Sequence, residues 1–216
     1  SPILSLGTAE QRERYLAPCL RAEKRDCFSL TEPNAGSDAA AIQSTAVRDG
    51  DDFILNGTKI FVTDGVKADF VIVFAVTDKE KRARGGITAF LVDKGTPGFE
   101  VGSVFKKMGW RGTDLAELVF IDCRVPAAQV LGEVGQGFAL AMKWIDTGRL
   151  GIASAALGTA ERLLEMATDY AGQRETFGRR LAERQAIQWM IADSATELKA
   201  ARLLVYNAAR LKDAGQ

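Results

Sequence analysis

The sequence contains no histidine among its 216 residues. Ser-His-Asp and Cys-His nucleophiles are therefore excluded within this chain, because both need an imidazole as the general base. Acid–base chemistry would fall to carboxylates, lysine, tyrosine or a bound cofactor. A zinc site is also disfavoured, since the three cysteines do not cluster and no histidine can join them. The sequence predicts no metal centre.

The chain also lacks an excess of charge of either sign, with 28 basic and 28 acidic side chains. Nucleic-acid-binding proteins usually carry a basic excess on one face, so no nucleic-acid partner is predicted. No apolar run reaches the length of about 18 residues that a membrane-spanning helix needs, so no membrane insertion is predicted. The three cysteines are odd in number and widely spaced, which favours a reducing compartment.

Proline is scarce and unevenly placed, because all five prolines lie at or before Pro126. Proline breaks helix interiors, so this asymmetry divides the chain. Residues 9–24 are predicted to form a short amphipathic helix, from Ala9 to Ala17, that Pro18 breaks. Residues 27–131 have a strand-like pattern, and a boundary is expected at residues 126–136.

Strands with short turns and no helices between them favour an antiparallel sheet or barrel over a βαβ fold. Asn56-Gly57 predicts a two-residue hairpin between two strands, because both residues tolerate the positive φ of a type I′ turn. Three more strands are predicted at Phe70–Val76, at 87–92 and from Leu115 towards Pro126.

Helical periodicity replaces the strand pattern from about Gly137. Apolar residues recur every three or four positions from Ile187 to Val205, and residues 138–170 are rich in Ala, Leu and Met. Two long antiparallel helices joined around 172–178 are predicted. Their apolar faces need further helices, from the same chain or from a neighbour.

The loop Leu30–Asp38 is the first candidate binding segment. Thr31 and Ser37 offer hydroxyls, and Gly36 permits close backbone approach. Ser37 or Asp38 could cap a short helix over 39–43, whose first N–H groups would favour a phosphate. A plain turn with a helix cap is the alternative.

Three other segments carry candidate groups. Phe61 and Thr63 lie two apart on a strand, so they share a face and could present a ring and a hydroxyl to a flat heterocycle; a half-buried strand end is the alternative. Asp146 and Arg149 share a helix face, as in an ordinary surface ion pair. Residues 174–178, followed by Gln185, match a helix end, a turn and a new helix.

In this order and spacing the motifs resemble the acyl-CoA dehydrogenase family. The matching segments are Leu30-Thr31-Glu32-Pro33-x-Ala35-Gly36-Ser37-Asp38, Asn56-Gly57-x-Lys59 with Thr63, Gly109-Trp110-Arg111, Asp122-Cys123-Arg124-Val125-Pro126 and Arg174-x-Thr176-Phe177-Gly178. The resemblance extends from about Leu6 to the end.

The resemblance implies a multi-domain α and β protein, with an antiparallel β-barrel-like middle domain followed by long antiparallel helices of an incomplete four-helix bundle. Residues 1–26 would be the tail of an N-terminal helical domain, 27–131 the middle domain and 132–216 the first part of the C-terminal domain.

The resemblance also implies an activity. Such enzymes hold FAD and oxidise acyl-CoA thioesters to trans-2-enoyl-CoA, and this chain looks most like the short-chain, straight-acyl members. Electron-transferring flavoprotein would be the electron acceptor, and the protein would be a homo-oligomer, a tetramer built as a dimer of dimers. Its compartment would be the bacterial cytoplasm or, in a eukaryote, the mitochondrial matrix. An acyl-CoA oxidase or nitroalkane oxidase-like enzyme of the same fold, and a non-catalytic CoA- or flavin-binding module, stay open as alternatives.

Site residues follow from the same resemblance. The residues implied to bind FAD are Phe28, Ser29, Leu30, Thr31, Gly36, Ser37, Phe61, Val62 and Thr63, with Arg174, Thr176, Phe177 and Gln185 reaching the FAD of a neighbouring subunit. Those implied to bind the substrate are Ser37, Phe138, Asp146, Gly148 and Arg149.

The sequence departs from the family pattern at two of these positions. Phe61 stands where many relatives have Trp, which keeps a flat apolar face but loses the indole donor. Gly148 stands where some branches carry the catalytic Glu, so the base is expected beyond Gln216. Glu32 is expected to order its loop instead of acting as a base.

Overall fold

The computed structural model describes residues 2–215, which form two compact units that divide between Trp144 and Ile145. The first unit contains the short helices and the main sheet. The second contains most of the two long helices.

Short helical segments precede the sheet: α1 (Pro2–Leu6), α2 (Ala9–Gln11), a π-helical turn (Arg12–Leu16) and α3 (Ala17–Leu20). The expected break at Pro18 is wrong, because the helical path continues to Leu20. Pro18 falls in the first turn of α3, directly after the π-helical turn, where a missing N–H costs little. Gln11 ties these helices to the segment that follows the sheet, since its Nε2 donates to the carbonyl oxygens of Ala128 and Val130 at 2.9 and 2.8 Å.

The main sheet has seven strands: β1 (Asp26–Ser29), β2 (Thr45–Asp49), β3 (Asp52–Thr63), β4 (Phe70–Val76), β5 (Ile87–Asp93), β6 (Phe99–Val104) and β7 (Leu115–Pro126). Their order across the sheet is β1-β4-β2-β3-β7-β6, with β5 paired to β4. Most pairs are antiparallel, as predicted, but β1 and β2 each pair parallel with β4, so the curled sheet is mixed. Its hydrophobic core includes Phe53 and Phe90, which pack edge to face.

The hairpin predicted at Asn56-Gly57 is wrong, because both residues lie inside the continuous strand β3. Asn56 exchanges two side-chain hydrogen bonds with Asp122 of β7, donating at 3.1 Å and accepting from its backbone N–H at 2.8 Å. Gly57, at φ +147°, marks an irregularity in the β3–β7 pairing. The actual turn is Gly50-Asp51, which joins the paired residues at the ends of β2 and β3.

Two long helices follow the sheet, α4 (Gly137–Gln173) and α5 (Gln185–Asp213), as the periodicity predicts. A small hairpin of β8 (Glu175–Thr176) and β9 (Arg179–Arg180) joins them. Within the second unit Glu161 of α4 forms an ion pair with Arg202 of α5 at 2.5 Å. None of the residues of α5, all of which the structure describes, is buried, which agrees with the expectation that two helices leave apolar faces uncovered.

In the part of the chain that the structure describes, no helix is both long enough and apolar enough to cross a bilayer. Residues 2–215 also contain no cluster of three or more side chains suited to hold a metal ion. Cys19, Cys27 and Cys123 are free thiols.

Candidate functional site

The Thr31 loop and the end of β3, two of the candidate segments, lie side by side in the first unit. The backbone N–H of Ile60 donates to the carbonyl oxygen of Thr31 at 2.9 Å. Phe61 and Thr63 follow on the same strand and are exposed, while Thr31 is half-buried at the edge of the loop. Residues about thirty positions apart in sequence thus meet, as expected for one binding surface.

A β-bulge presents Phe61 to solvent. The β3–β7 register shifts between Lys59 and Val62, and Phe61 has φ +57°, a conformation that phenylalanine rarely adopts. The shift reverses the alternation of faces, so Lys59 is buried whereas Phe61 is 56% exposed. Backbone strain of this kind often accompanies a functional position.

The Glu-Pro turn is anchored by a buried ion pair between Glu32 and Lys59. Lys59 Nζ donates to Glu32 Oε1 at 2.7 Å and to the carbonyl oxygen of Leu30 at 3.1 Å. The Glu32 carboxylate also accepts the backbone N–H groups of Gln43 and Ser44, at 2.6 and 3.0 Å. Glu32 therefore orders its loop, as the sequence suggested.

Burial sets the ionisation of this pair. Desolvation lowers the pKa of Lys59 to about 8, against the attraction of Glu32, so the amine stays protonated at neutral pH. Desolvation alone would raise the pKa of Glu32, but Lys59 and the hydrogen bonds from residues 43 and 44 hold it below its usual value. Glu32 is therefore an anion and cannot serve as an acid near neutrality.

The segment after the turn differs from the expectation. Gly36, Ser37 and Asp38 are exposed, but the following helix is a single 3₁₀ turn, Ala39–Ala41, and no side chain caps it. The helix-cap interpretation of Ser37 or Asp38 is therefore wrong. Within the described residues the hydroxyls of Thr31, Ser37 and Thr63 form no hydrogen bond with protein groups, which leaves them available to a ligand.

Four other residues implied to bind the cofactor are less accessible. Ser29, Leu30 and Val62 are buried, so the surrounding protein covers these residues almost completely. Phe28 is half-buried against Phe74, with ring centroids 4.8 Å apart.

The second unit gathers Arg174, Thr176, Phe177 and Gln185 around the β8–β9 hairpin. Thr176 pairs with Arg179, and Phe177-Gly178 form the two-residue turn, both with positive φ. Phe177 is 97% exposed at its tip. The guanidinium of Arg174 has no acidic partner among the described residues. An exposed aromatic ring and an exposed cation without an acidic partner are groups that suit a nucleotide.

Sequence reasoning missed Arg184, which holds this hairpin in place. Its Nη2 donates to the carbonyl oxygen and to the hydroxyl of Thr176, at 2.5 and 2.9 Å. Its guanidinium also lies 5.9 Å from the centre of the Phe177 ring. The sequence offers only a run of charges here, and a solvated face explains such a run equally well.

Apart from Ser37, the residues implied to bind the substrate lie along α4. Asp146 and Arg149 form an exposed ion pair at 2.7 Å, one helical turn apart. Gly148 is exposed between them, and a Cβ there would meet nothing within 4 Å, so space alone does not require glycine. Phe138 is half-buried in the first turn of α4.

Two family models match the chain: "Acyl-CoA dehydrogenase, middle domain" over residues 27–123 and "Acyl-CoA dehydrogenase, C-terminal domain" over residues 135–216. Together they cover most of the sequence.

Individual relatives agree with these models. The short-chain specific acyl-CoA dehydrogenase of Clostridium acetobutylicum is 47% identical over 97% of this chain and 55% of its own length. The caffeyl-CoA reductase-Etf complex subunit CarC of Acetobacterium woodii is 48% identical over 98% of this chain and 56% of its own. The solved structure of butyryl-CoA dehydrogenase from Megasphaera elsdenii is 47% identical, with a TM-score of 0.93 over 100% of this chain and 56% of that one. The chain spans about half the length of these relatives.

Proposed function

Since the chain belongs to the acyl-CoA dehydrogenase family, we propose that the whole protein is an FAD-dependent enzyme that oxidises a short-chain acyl-CoA thioester to trans-2-enoyl-CoA. The observation that carries the proposal is the hydrogen bond from Ile60 N–H to the carbonyl oxygen of Thr31. This hydrogen bond joins the Thr31 loop to the strand that carries Phe61 and Thr63, the two segments that the resemblance assigns to the flavin.

The residues present fit such a cofactor. Thr31 and Thr63 carry hydroxyls without protein partners among the described residues, and Phe61 offers an exposed aromatic face on a strained bulge. The two threonine hydroxyls can donate hydrogen bonds to a flat heterocycle, and the Phe61 ring can cover one of its faces. Ser37 is exposed beside Gly36, where backbone and hydroxyl can meet a phosphate.

Other residues would serve the nucleotide and the thioester. Arg174 carries a permanent charge and a forked set of donors, which suits a pyrophosphate. We propose that it acts together with Thr176, Phe177 and Gln185 on the FAD of a neighbouring subunit, which requires a homo-oligomer. Asp146 and Arg149 would bind CoA, and Phe138 would line the acyl or pantetheine portion.

Each side chain in this proposal positions a reactant. FAD, when bound, supplies the hydride acceptor that protein side chains lack. The reaction also needs a carboxylate that removes the α-proton of the thioester. Gly148 has no ionisable group, and Glu32 is already bonded to Lys59 and two backbone amides, so we propose that neither position supplies this base.

A direct experiment uses the purified whole protein. We expect it to be yellow, to retain FAD through gel filtration, and to convert butyryl-CoA to crotonyl-CoA with electron-transferring flavoprotein as the acceptor. A preparation that is colourless and stays so after addition of FAD would contradict the proposal.

Reduction of an enoyl-CoA, the reverse of the proposed reaction, is a second candidate function. It is favoured by the 48% identity to a subunit of a caffeyl-CoA reductase-Etf complex. The same residues would hold an enoyl-CoA while its double bond is reduced. Assays run from both thioesters distinguish dehydrogenase from reductase. Rapid reoxidation by oxygen would identify the oxidase alternative, and binding without turnover in any assay would identify a non-catalytic module.

A further inference from the structure

Lys59 and Glu32 form an ion pair that solvent barely reaches, with side chains 0% and 6% exposed. The Nζ–Oε1 distance of 2.7 Å is that of a charge-assisted hydrogen bond. The carboxylate has two further donors, both backbone N–H groups, and the amine has one further acceptor. The pair is thus bonded to three backbone groups on two separate stretches of chain.

Stability alone does not explain such a pair. Removing each ion from water costs several kcal/mol, and apolar side chains of similar volume often stabilise a fold equally well. Charged hydrogen bonds differ from apolar contacts in having direction, so they fix individual backbone atoms. The atoms fixed here are the carbonyl oxygen of Leu30 and the N–H groups of Gln43 and Ser44.

The ion pair lies close in sequence to the candidate flavin surface, which is formed by Thr31, Phe61 and Thr63. Leu30 directly precedes Thr31, whose own carbonyl oxygen accepts the N–H of Ile60. Lys59 directly precedes Ile60 and is the last paired residue before the bulge that exposes Phe61. One side chain therefore connects the Thr31 loop to the strand that carries Phe61 and Thr63.

We propose that the Lys59–Glu32 pair sets the separation between Thr31 and the Phe61–Thr63 segment, and thereby positions the bound flavin. Both are positioning residues, because their charged groups face each other and the backbone and are shielded from solvent. The inference rests on the proposed function in one respect, that FAD binds at this surface.

The test compares the whole protein with its Lys59→Met variant. Methionine retains length and apolar bulk but removes the donor to Leu30 and the partner of Glu32. We expect FAD binding to weaken about tenfold, and the visible absorption band and reduction potential of the flavin to shift at saturating FAD. Arg124→Met is the matched control, because it breaks an exposed ion pair with Asp49 and Asp52 in the same sheet. It should leave all three quantities at parental values.

Glu32→Gln provides a second variant that keeps the side-chain shape and an acceptor oxygen while removing the charge. In the apo-protein we expect faster amide hydrogen exchange at Ile60 and Ser44 in both variants, with Arg124→Met unchanged. If Lys59→Met does not fold, Glu32→Gln decides. If neither single variant folds, the double variant Lys59→Met with Glu32→Leu takes their place, because it leaves no unpaired charge in the interior.

Different results bear on the two proposals separately. A parent protein that binds no FAD contradicts the proposed function. A parent that binds FAD, with variants whose FAD affinity stays within about twofold and whose flavin spectrum is unchanged, overturns the positioning role. Variants that lose stability but keep affinity, spectrum and potential also overturn it, because the pair would then be purely structural.

Discussion

Phe61 and Phe105 pack with ring centroids 5.1 Å apart and an interplanar angle of 51°, yet Phe61 remains 56% exposed. Phe105 follows β6, so this contact supports the Phe61 ring from one side and leaves the rest of it open. An aromatic ring that is both held and exposed suits contact with a planar ligand.

The first prediction concerns this ring. Phe61→Leu should weaken FAD binding about two- to tenfold, because a branched aliphatic side chain loses the stacking worth about 0.5–1.5 kcal/mol. Unfolding by urea should change little, since the side chain is mostly exposed. Val47→Ala, at another exposed apolar position of the sheet, is the control. Equal FAD affinity in Phe61→Leu and the parent would argue against contact with the flavin.

The second prediction concerns Gly57. Gly57→Ala should lower the free energy of unfolding by about 2–3 kcal/mol, because the backbone is at φ +147° and a Cβ would collide with Ser44 Oγ. Gly50→Ala is the matched control, since that turn glycine has φ +61° with nothing within 4 Å. Its cost should be about 1 kcal/mol. Urea titrations of the whole protein measure both, and equal losses would show that the contact with Ser44 relaxes.

The third prediction concerns alkaline pH. Burial raises the pKa of Tyr15 from 10.0 to about 12, with help from the charge of Asp93 and the hydrogen bond that Tyr15 donates to it at 3.0 Å. Between these values the unfolded chain loses the phenolic proton while the native protein keeps it, so stability falls as pH rises. The loss is on the order of 2 kcal/mol.

Tyr15→Phe should flatten this fall, because phenylalanine cannot ionise. Free energies of unfolding measured from pH 9 to about 12 test the expectation, with Tyr206→Phe, at an exposed position, as the control. Identical slopes for Tyr15→Phe and the parent would mean that Tyr15 titrates alike in both states.

The fourth prediction concerns Arg174. Arg174→Ala should weaken FAD retention about tenfold or more, because a hydrogen bond to a charged group contributes about 1.5–3 kcal/mol. Folding should be nearly unaffected, since the side chain is exposed and lacks an acidic partner in the described part of the chain. Arg162→Ala, which removes an exposed cation paired with Glu165, should retain FAD normally. Equal FAD content in all three proteins would refute the role of Arg174.

Much of the fold could be predicted because its signals are local. Seven consecutive apolar residues, Phe70–Val76, form β4 with the predicted limits, and the three-and-four spacing after Gly137 gives the long helices. The Thr31 loop has a local signal too, because its polar residues and glycine indicate a binding segment without reference to any distant part of the chain.

The error at the hairpin arose where a residue distant in sequence overrode a local turn preference. Asn56-Gly57 suits a tight turn, but Asp122 of β7 binds Asn56 and keeps β3 continuous, so the chain turns at Gly50-Asp51. The error at Pro18 has a local cause, because Pro18 falls in the first turn of α3, directly after a π-helical turn.

The sequence by itself determined β4, the two long helices, the family and the residue types offered to the candidate site. Only the tertiary structure decided which way they face. Strand alternation alone would put Lys59 and Phe61 on one face, and the pairing with β7 separates them through a bulge. The burial of Lys59 against Glu32 depends on the same register. Pairing between strands some sixty residues apart is set by the energy of the whole sheet, and a short stretch of sequence does not contain that energy.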